Sequence, residues 1–246
     1  LPQRPRPPRL LRAARAAPVS HALAAGCVLG SLLAAVGPGA GPGAQRRWGV
    51  VPAELWGGGP AEWTTLLTSQ FVHTGWLHLP ANLLFLLLFG PWVERRVGGL
   101  PFLLGCLTVG PATALGHATL HPDSTDVLVG ASGTVAGVLG AFLLLFPRAR
   151  ITALYPALLF LPLRLPAWLA LGCWAAVQWL AARSPDAGAG GGTSTAAFAH
   201  QSHLLGFALG LLLGRLHHRR TRPAAPGDAE ITGKARGGVP RGGALE

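Results

Sequence analysis

The chain has 246 residues, half of them hydrophobic and only 12% charged, and its mean hydropathy is +0.42. That balance is a membrane protein's rather than a soluble domain's. The formal charge of +11 does not indicate nucleic acid. The arginines sit in short clusters between apolar runs and in the two tails, with no basic groove interleaved with aromatics.

In chain order, residues 1–17 form a basic, proline-rich arm expected to be disordered and cytoplasmic. Val19 to Val36 is an apolar run too long for a typical signal core, and reads as a first membrane span. Residues 37–75 make a long connection, Gly/Pro-rich and then semi-apolar. Its Trp48, Trp56 and Trp63 suit the membrane–water boundary, so the loop is expected to lie in the interface.

A second span is expected from Trp76 to Trp92, a third from Leu100 to Leu120 and a fourth from Val127 to Phe146. Residues 151–163 are apolar but short and broken by Pro156 and Pro162, which suits an interfacial or re-entrant segment. A fifth span follows from Leu165 to Ala182 and a sixth from Ala196 to Leu213. The domain reading is therefore a 1–17 arm, an 18–216 membrane domain and a disordered 217–246 tail. With six spans most of the positive charge falls on one side, which puts both termini in the cytoplasm. Cys27, Cys106 and Cys173 each lie in a separate apolar run and read as small packing residues. No metal or cofactor is implied.

Polar side chains inside spans are costly and mark function by default. Ser132, in Gly130-Ala131-Ser132-Gly133, lies near the outer end of the fourth run. Asn82, with His78 one turn above it, has the same position in the second, and His203 in the sixth. At 1.5 Å per residue all reach roughly 3–11 Å below the outer boundary. A serine hydroxyl needs a base to become a nucleophile, and His203 supplies one. Gly206, Gly210 and Gly214 leave one face of the sixth helix bare, which lets it approach the fourth. His78, Asn82 and the Ser132 N–H are candidate donors to an oxyanion. No carboxylate lies in any span at this depth, so the expectation is a Ser–His dyad. Each residue also has a purely structural reading: a packing serine, a histidine bonded to a carbonyl, an asparagine as interhelical glue.

Four stretches carry a family resemblance. They are Phe71-Val72-His73-Thr74-Gly75-Trp76-Leu77-His78-Leu79-Pro80-Ala81-Asn82, Val93-Glu94-Arg95-Arg96-Val97-Gly98, Gly130-Ala131-Ser132-Gly133, and His203-Leu204-Leu205-Gly206 with Gly210. In this order they resemble the rhomboid intramembrane serine proteases of bacteria over residues 45–215. The resemblance implies a six-helix, all-α polytopic bundle in the plasma membrane, with Ser132 as nucleophile and His203 as base. His78 and Asn82 fall at the oxyanion positions, and Gly130, Gly133, Gly206 and Gly210 support the site. It also implies a membrane-embedded first loop and a fifth span acting as the lateral gate. The partners implied are transmembrane protein substrates and the lipid bilayer, with no nucleic acid. His200 is a rival base, and a non-catalytic rhomboid-like binder is the rival function. Two positions depart from the family pattern: Thr64 where an arginine is common, and Ala136 where an aromatic stacks near the histidine. Phe207 is a candidate substitute for that aromatic.

Overall fold

The structure is a computed structural model that describes residues 17–37, 40, 42–75, 77–155, 161–183 and 194–221. The arm 1–16, the Gly-rich loop 184–193 and the tail 222–246 lie outside the described residues, as does Trp76.

The first helix, α1 (Pro18–Val36), starts where the run predicts, with proline at the position whose N–H a helix does not need. The cap comes from far along the chain. Glu94 is buried and accepts from the backbone N–H of Val19 (2.9 Å) and Ser20 (2.8 Å) and from Ser20 Oγ (2.7 Å). A carboxylate there satisfies orphan donors and meets the positive helix end.

The connection is not featureless. It folds into α2 (Pro42–Trp48), α3 (Pro52–Leu55), α4 (Pro60–Thr68) and a 3₁₀ turn at Ser69–Phe71. Trp56 and Trp63 meet edge to face, and all three tryptophans are exposed, as an interfacial loop requires.

Helix α5 spans His78–Val97, five residues past the expected end, so the charged Glu94-Arg95-Arg96 is helical. Gly98 at φ +95° reverses the chain directly into α6 (Gly99–Leu120), a geometry that needs glycine. Its N–H closes α5 on Glu94 O and its carbonyl opens α6 on Phe102 N.

Val127 to Ala131 is not helical, and α7 runs only from Ser132 to Leu145. Leu128 pairs with Val50 in an isolated antiparallel bridge, and Gly130 N–H bonds Ser69 O. The apolar run thus opens with five non-helical residues before the helix begins, a division that hydrophobicity alone does not reveal. Of the short segment 151–163, residues 156–160 lie outside the described residues, and the rest is extended rather than helical. It belongs to an antiparallel pair of β1 (Arg150–Tyr155) and β2 (Leu161–Pro166), registered from Arg150↔Pro166 to Tyr155↔Leu161. The hairpin takes Leu165 and Pro166, so α8 begins at Ala167 and ends at Ala182. Helix α9 (Ser194–Thr221) continues past Leu213, so residues 217–221, expected in the tail, are helical.

The fold is therefore a multi-helix bundle with one small hairpin. Among the described residues two helices, α1 and α6, are long and apolar enough to cross a membrane. Helices α7 and α8 are apolar but shorter, and α5 and α9 carry charge at their C-terminal ends. Helix α7 is the hub, buried along nearly its whole length and packed by α5, α6, α8 and α9. Large apolar side chains face outward on the surrounding helices, among them Leu29, Leu33, Leu88, Leu104, Val177 and Leu212. So wide an apolar exterior is what a lipid environment covers. Cys27 and Cys106 pack in the interior as expected, whereas Cys173 is exposed on α8.

Candidate active site

Ser132 is the first residue of α7, and the first intrahelical bond runs from Val135 N to Ala131 O. The N–H groups of Ser132, Gly133 and Thr134 therefore have no acceptor within the helix, and the positive helix end lies at the serine. The turn that delivers it is fixed from three sides. Gly130 N–H bonds Ser69 O, Ala131 N–H bonds His73 Nε2 (3.2 Å), and Gly130 adopts φ +114°. A Cβ at Gly130 would lie 2.5 Å from Cε1 and Nε2 of His78, so the His78 ring rests directly on this glycine.

Close approach of α9 to α7 is achieved by glycine on both sides. A Cβ on Gly206 would overlap the carbonyl of Gly133, and one on Gly210 would overlap that of Gly137. The two backbones touch one turn from Ser132 and His203, as the bare face of the sixth run predicts.

The two helices and α5 open onto a cavity of about 460 Å³ lined by Ser132, His203, His78 and Asn82. His200, the rival base, is not among the lining residues. The hydrogen bonds of these residues include none between Ser132 and His203. Instead His203 Nδ1 lies 2.8 Å from Gln178 Oε1 on α8, and His200 Nδ1 lies 2.7 Å from the same oxygen. Asn82 is buried and donates through Nδ2 to His78 O (3.0 Å), which leaves its second N–H for another acceptor. The His73 and His78 rings meet edge to face at 5.0 Å. Burial first, then the neighbouring His78, pushes His73 down from its ordinary 6.5 to about 4.

Three residues at the site escaped the sequence reading. Trp174 on α8 lies 6.1 Å from the His203 ring and 5.6 Å from Phe207. It supplies the aromatic wall that Ala136 cannot, with Phe207 behind it. Gln178 is the only amide in the fifth apolar run, four residues from its outer end; that depth was its signal. His117 of α6 lines the cavity together with Asp126 from the loop before α7. Among the described residues no group of three His, Cys, Asp or Glu is arranged to hold a metal ion.

The rhomboid domain profile matches residues 60–220, well over half of the chain. The chain belongs to the rhomboid family. Curated relatives agree over shorter stretches. This rhomboid chain is 37% identical over 82 residues to the putative rhomboid protease YdcA of Bacillus subtilis, covering 33% of the chain and 41% of that protein. It is 39% identical over 82 residues to the rhomboid protease GluP of the same organism, covering 33% and 16%. With rhomboid-like protein 11, chloroplastic, of Arabidopsis thaliana it shares 38% identity over 76 residues, covering 31% and 27%. The matches thus span less than half the length of each of these relatives.

Proposed function

We propose that this chain is an intramembrane serine endopeptidase that cleaves transmembrane proteins near the outer membrane face. Ser132 is the nucleophile and His203 the general base. The observation that carries the reading is the shared cavity. Polar side chains scattered over three apolar runs line one opening at the start of α7. Membership of a family that includes named proteases supports it further.

The chemistry follows from the residues. His203 Nε2 takes the proton from Ser132 Oγ as the oxygen attacks a peptide carbonyl. The carbonyl oxygen becomes an oxyanion, stabilised by the Ser132 N–H, Asn82 and His78 at the positive end of α7. His203 then gives the proton to the leaving amine, the C–N bond breaks and an acyl ester remains on Ser132. Water attacks that ester, again with His203 as base, and frees the acid. A substrate helix hides its carbonyls in its own hydrogen bonds, so the scissile segment must unwind before it reacts. It enters past α8, which forms the Trp174 wall of the cavity. Six spans place residues 18–216 in the bilayer, both termini in the cytoplasm and the cavity on the other side.

The test is labelling of the full chain in detergent by a fluorophosphonate probe. The parent labels, whereas Ser132→Ala and His203→Ala do not and His200→Ala still does. Labelling of Ser132→Ala as fast as the parent refutes the nucleophile. Absence of labelling in the folded parent favours the non-catalytic binder.

A further inference from the structure

Resting on the protease reading, we propose that Gln178 is a positioning residue for the base: its amide oxygen, carried by α8, fixes the tautomer and direction of the His203 ring. An amide oxygen only accepts, so a ring nitrogen bonded to it must carry a proton. Nδ1 of His203, 2.8 Å from Gln178 Oε1, is then the protonated nitrogen. The neutral imidazole has one proton, so its lone pair is left on Nε2, the atom that must accept from Ser132. The opposite tautomer presents N–H to the serine and cannot act as base, however well the ring is placed.

The partner is built for the task. Gln178 is buried, 8% exposed, in a helix whose other side chains are apolar. A lone amide in such a helix is costly unless bonded, and both bonds found on its oxygen come from histidines. Trp174, one turn earlier on α8, flanks the same ring at 6.1 Å. Helix α8 thus holds His203 by a polar and an aromatic contact at once. The other groups around the ring are His200 on its own helix, His78 from α5 and Ser132 from α7. Asp126 and His117 also line the cavity, but the hydrogen bond found at His203 Nδ1 is to the Gln178 amide, which is therefore the orienting group. Because Gln178 travels with α8, a displacement of this helix also releases the ring. Access to the cavity and readiness of the base are then set by one element.

The experiment measures fluorophosphonate labelling rates of the full chain in detergent, since a small probe needs no gate movement. Gln178→Leu lowers the rate at least about tenfold, and by no more than the 10²–10⁴ that general-base catalysis supplies, with the thermal midpoint unchanged. Gln178→Glu restores the acceptor and most of the rate, and moves the acid limb of the pH–rate profile to higher pH, because a carboxylate favours the imidazolium. A merely structural role moves the midpoint and not that limb. A second measurement needs no change at Gln178. In Ser132→Ala, ¹⁵N spectra of the His203 ring, identified by loss of its signals on adding His203→Ala, show a protonated Nδ1 and an unprotonated Nε2. Parent-rate labelling by Gln178→Leu, or the reverse protonation pattern, overturns the inference and leaves the protease reading standing. Equal labelling of parent and Ser132→Ala overturns the protease reading and this inference with it.

Discussion

His73 Nε2 accepts the backbone N–H of Ala131, one residue before Ser132, at 3.2 Å. The other ring nitrogen, Nδ1, lies 3.2 Å from Ser31 Oγ, and that hydroxyl donates to Phe71 O. A single neutral imidazole therefore ties α1, the connection and the Ser132 turn together. His73→Ala leaves the buried Ala131 N–H unpaired and costs about 1–3 kcal/mol, read by thermal unfolding in detergent. Labelling falls further than that stability loss explains, because the turn carrying Ser132 is released.

The same histidine predicts a pH dependence. Its pKa is about 4 in the fold and 6.5 ordinarily, so the unfolded chain binds the proton first on acidification. Its contribution to stability is whole above pH 6.5 and is lost as pH falls from there through 4. The drop in midpoint between pH 7 and pH 4.5 is accordingly smaller in His73→Leu than in the parent. An equal drop in both removes His73 from the account.

Glu94 serves three donors in the first turn of α1 from a position on α5. Glu94→Gln replaces one acceptor oxygen by an NH₂ that faces other donors. We expect a loss of roughly 1.5–3 kcal/mol, the worth of a hydrogen bond to a charged group. Proteolysis should then cut first near the start of α1. A cut pattern like the parent's, with an unchanged midpoint, shows that the cap is dispensable.

Gly206 has no room for a methyl group, since one would meet the Gly133 carbonyl and lie 3.3 Å from Ala136 Cβ. Gly172 on α8 has nothing within 4 Å of the same position. Gly206→Ala should push α9 away from α7 and abolish labelling. Gly172→Ala should leave labelling intact and stabilise α8 by up to about 1 kcal/mol, the helix propensity difference. Similar labelling of the two variants would show that close helix contact is not what brings the site together.

If Asn82 is an oxyanion donor as proposed, Asn82→Ala should lower kcat about 10²–10³-fold, as loss of one such donor does elsewhere, with little change in KM. A change confined to KM assigns Asn82 to substrate binding instead.

How much of this was legible in the sequence varies by element. The runs at 19–36 and 100–120 gave helices nearly to the residue, because both are long, apolar and closed by Gly37 or His121. The motif residues Ser132, His203, His78 and Asn82 were found by depth, and all four line one cavity. The start of α7 was misread because Val127 to Val129 are as apolar as the helix. The clue was Gly130, which suits a positive φ and not a helix interior. The hairpin was hidden by its prolines, although Leu161-Pro162-Leu163-Arg164-Leu165 alternates with the period of a strand. Gln178 is hard to read from the sequence because a lone amide in an apolar run carries no motif, and its partners His200 and His203 lie on another helix.

The glycines of α7 and α9 have a consequence for position along the membrane normal. Gly206 sits on Gly133, Gly210 on Gly137, and Gly140 against the backbone of Phe207. Such a surface works like a toothed rack. Two helices so engaged slide past each other only in whole notches, and a notch is a helical turn of about 5.4 Å. A smaller slip drives a side chain into a carbonyl, and a full one carries His203 a turn above or below Ser132. The relative height of the two residues is thus indexed by where side chains are missing, in a structure where no bond joins them.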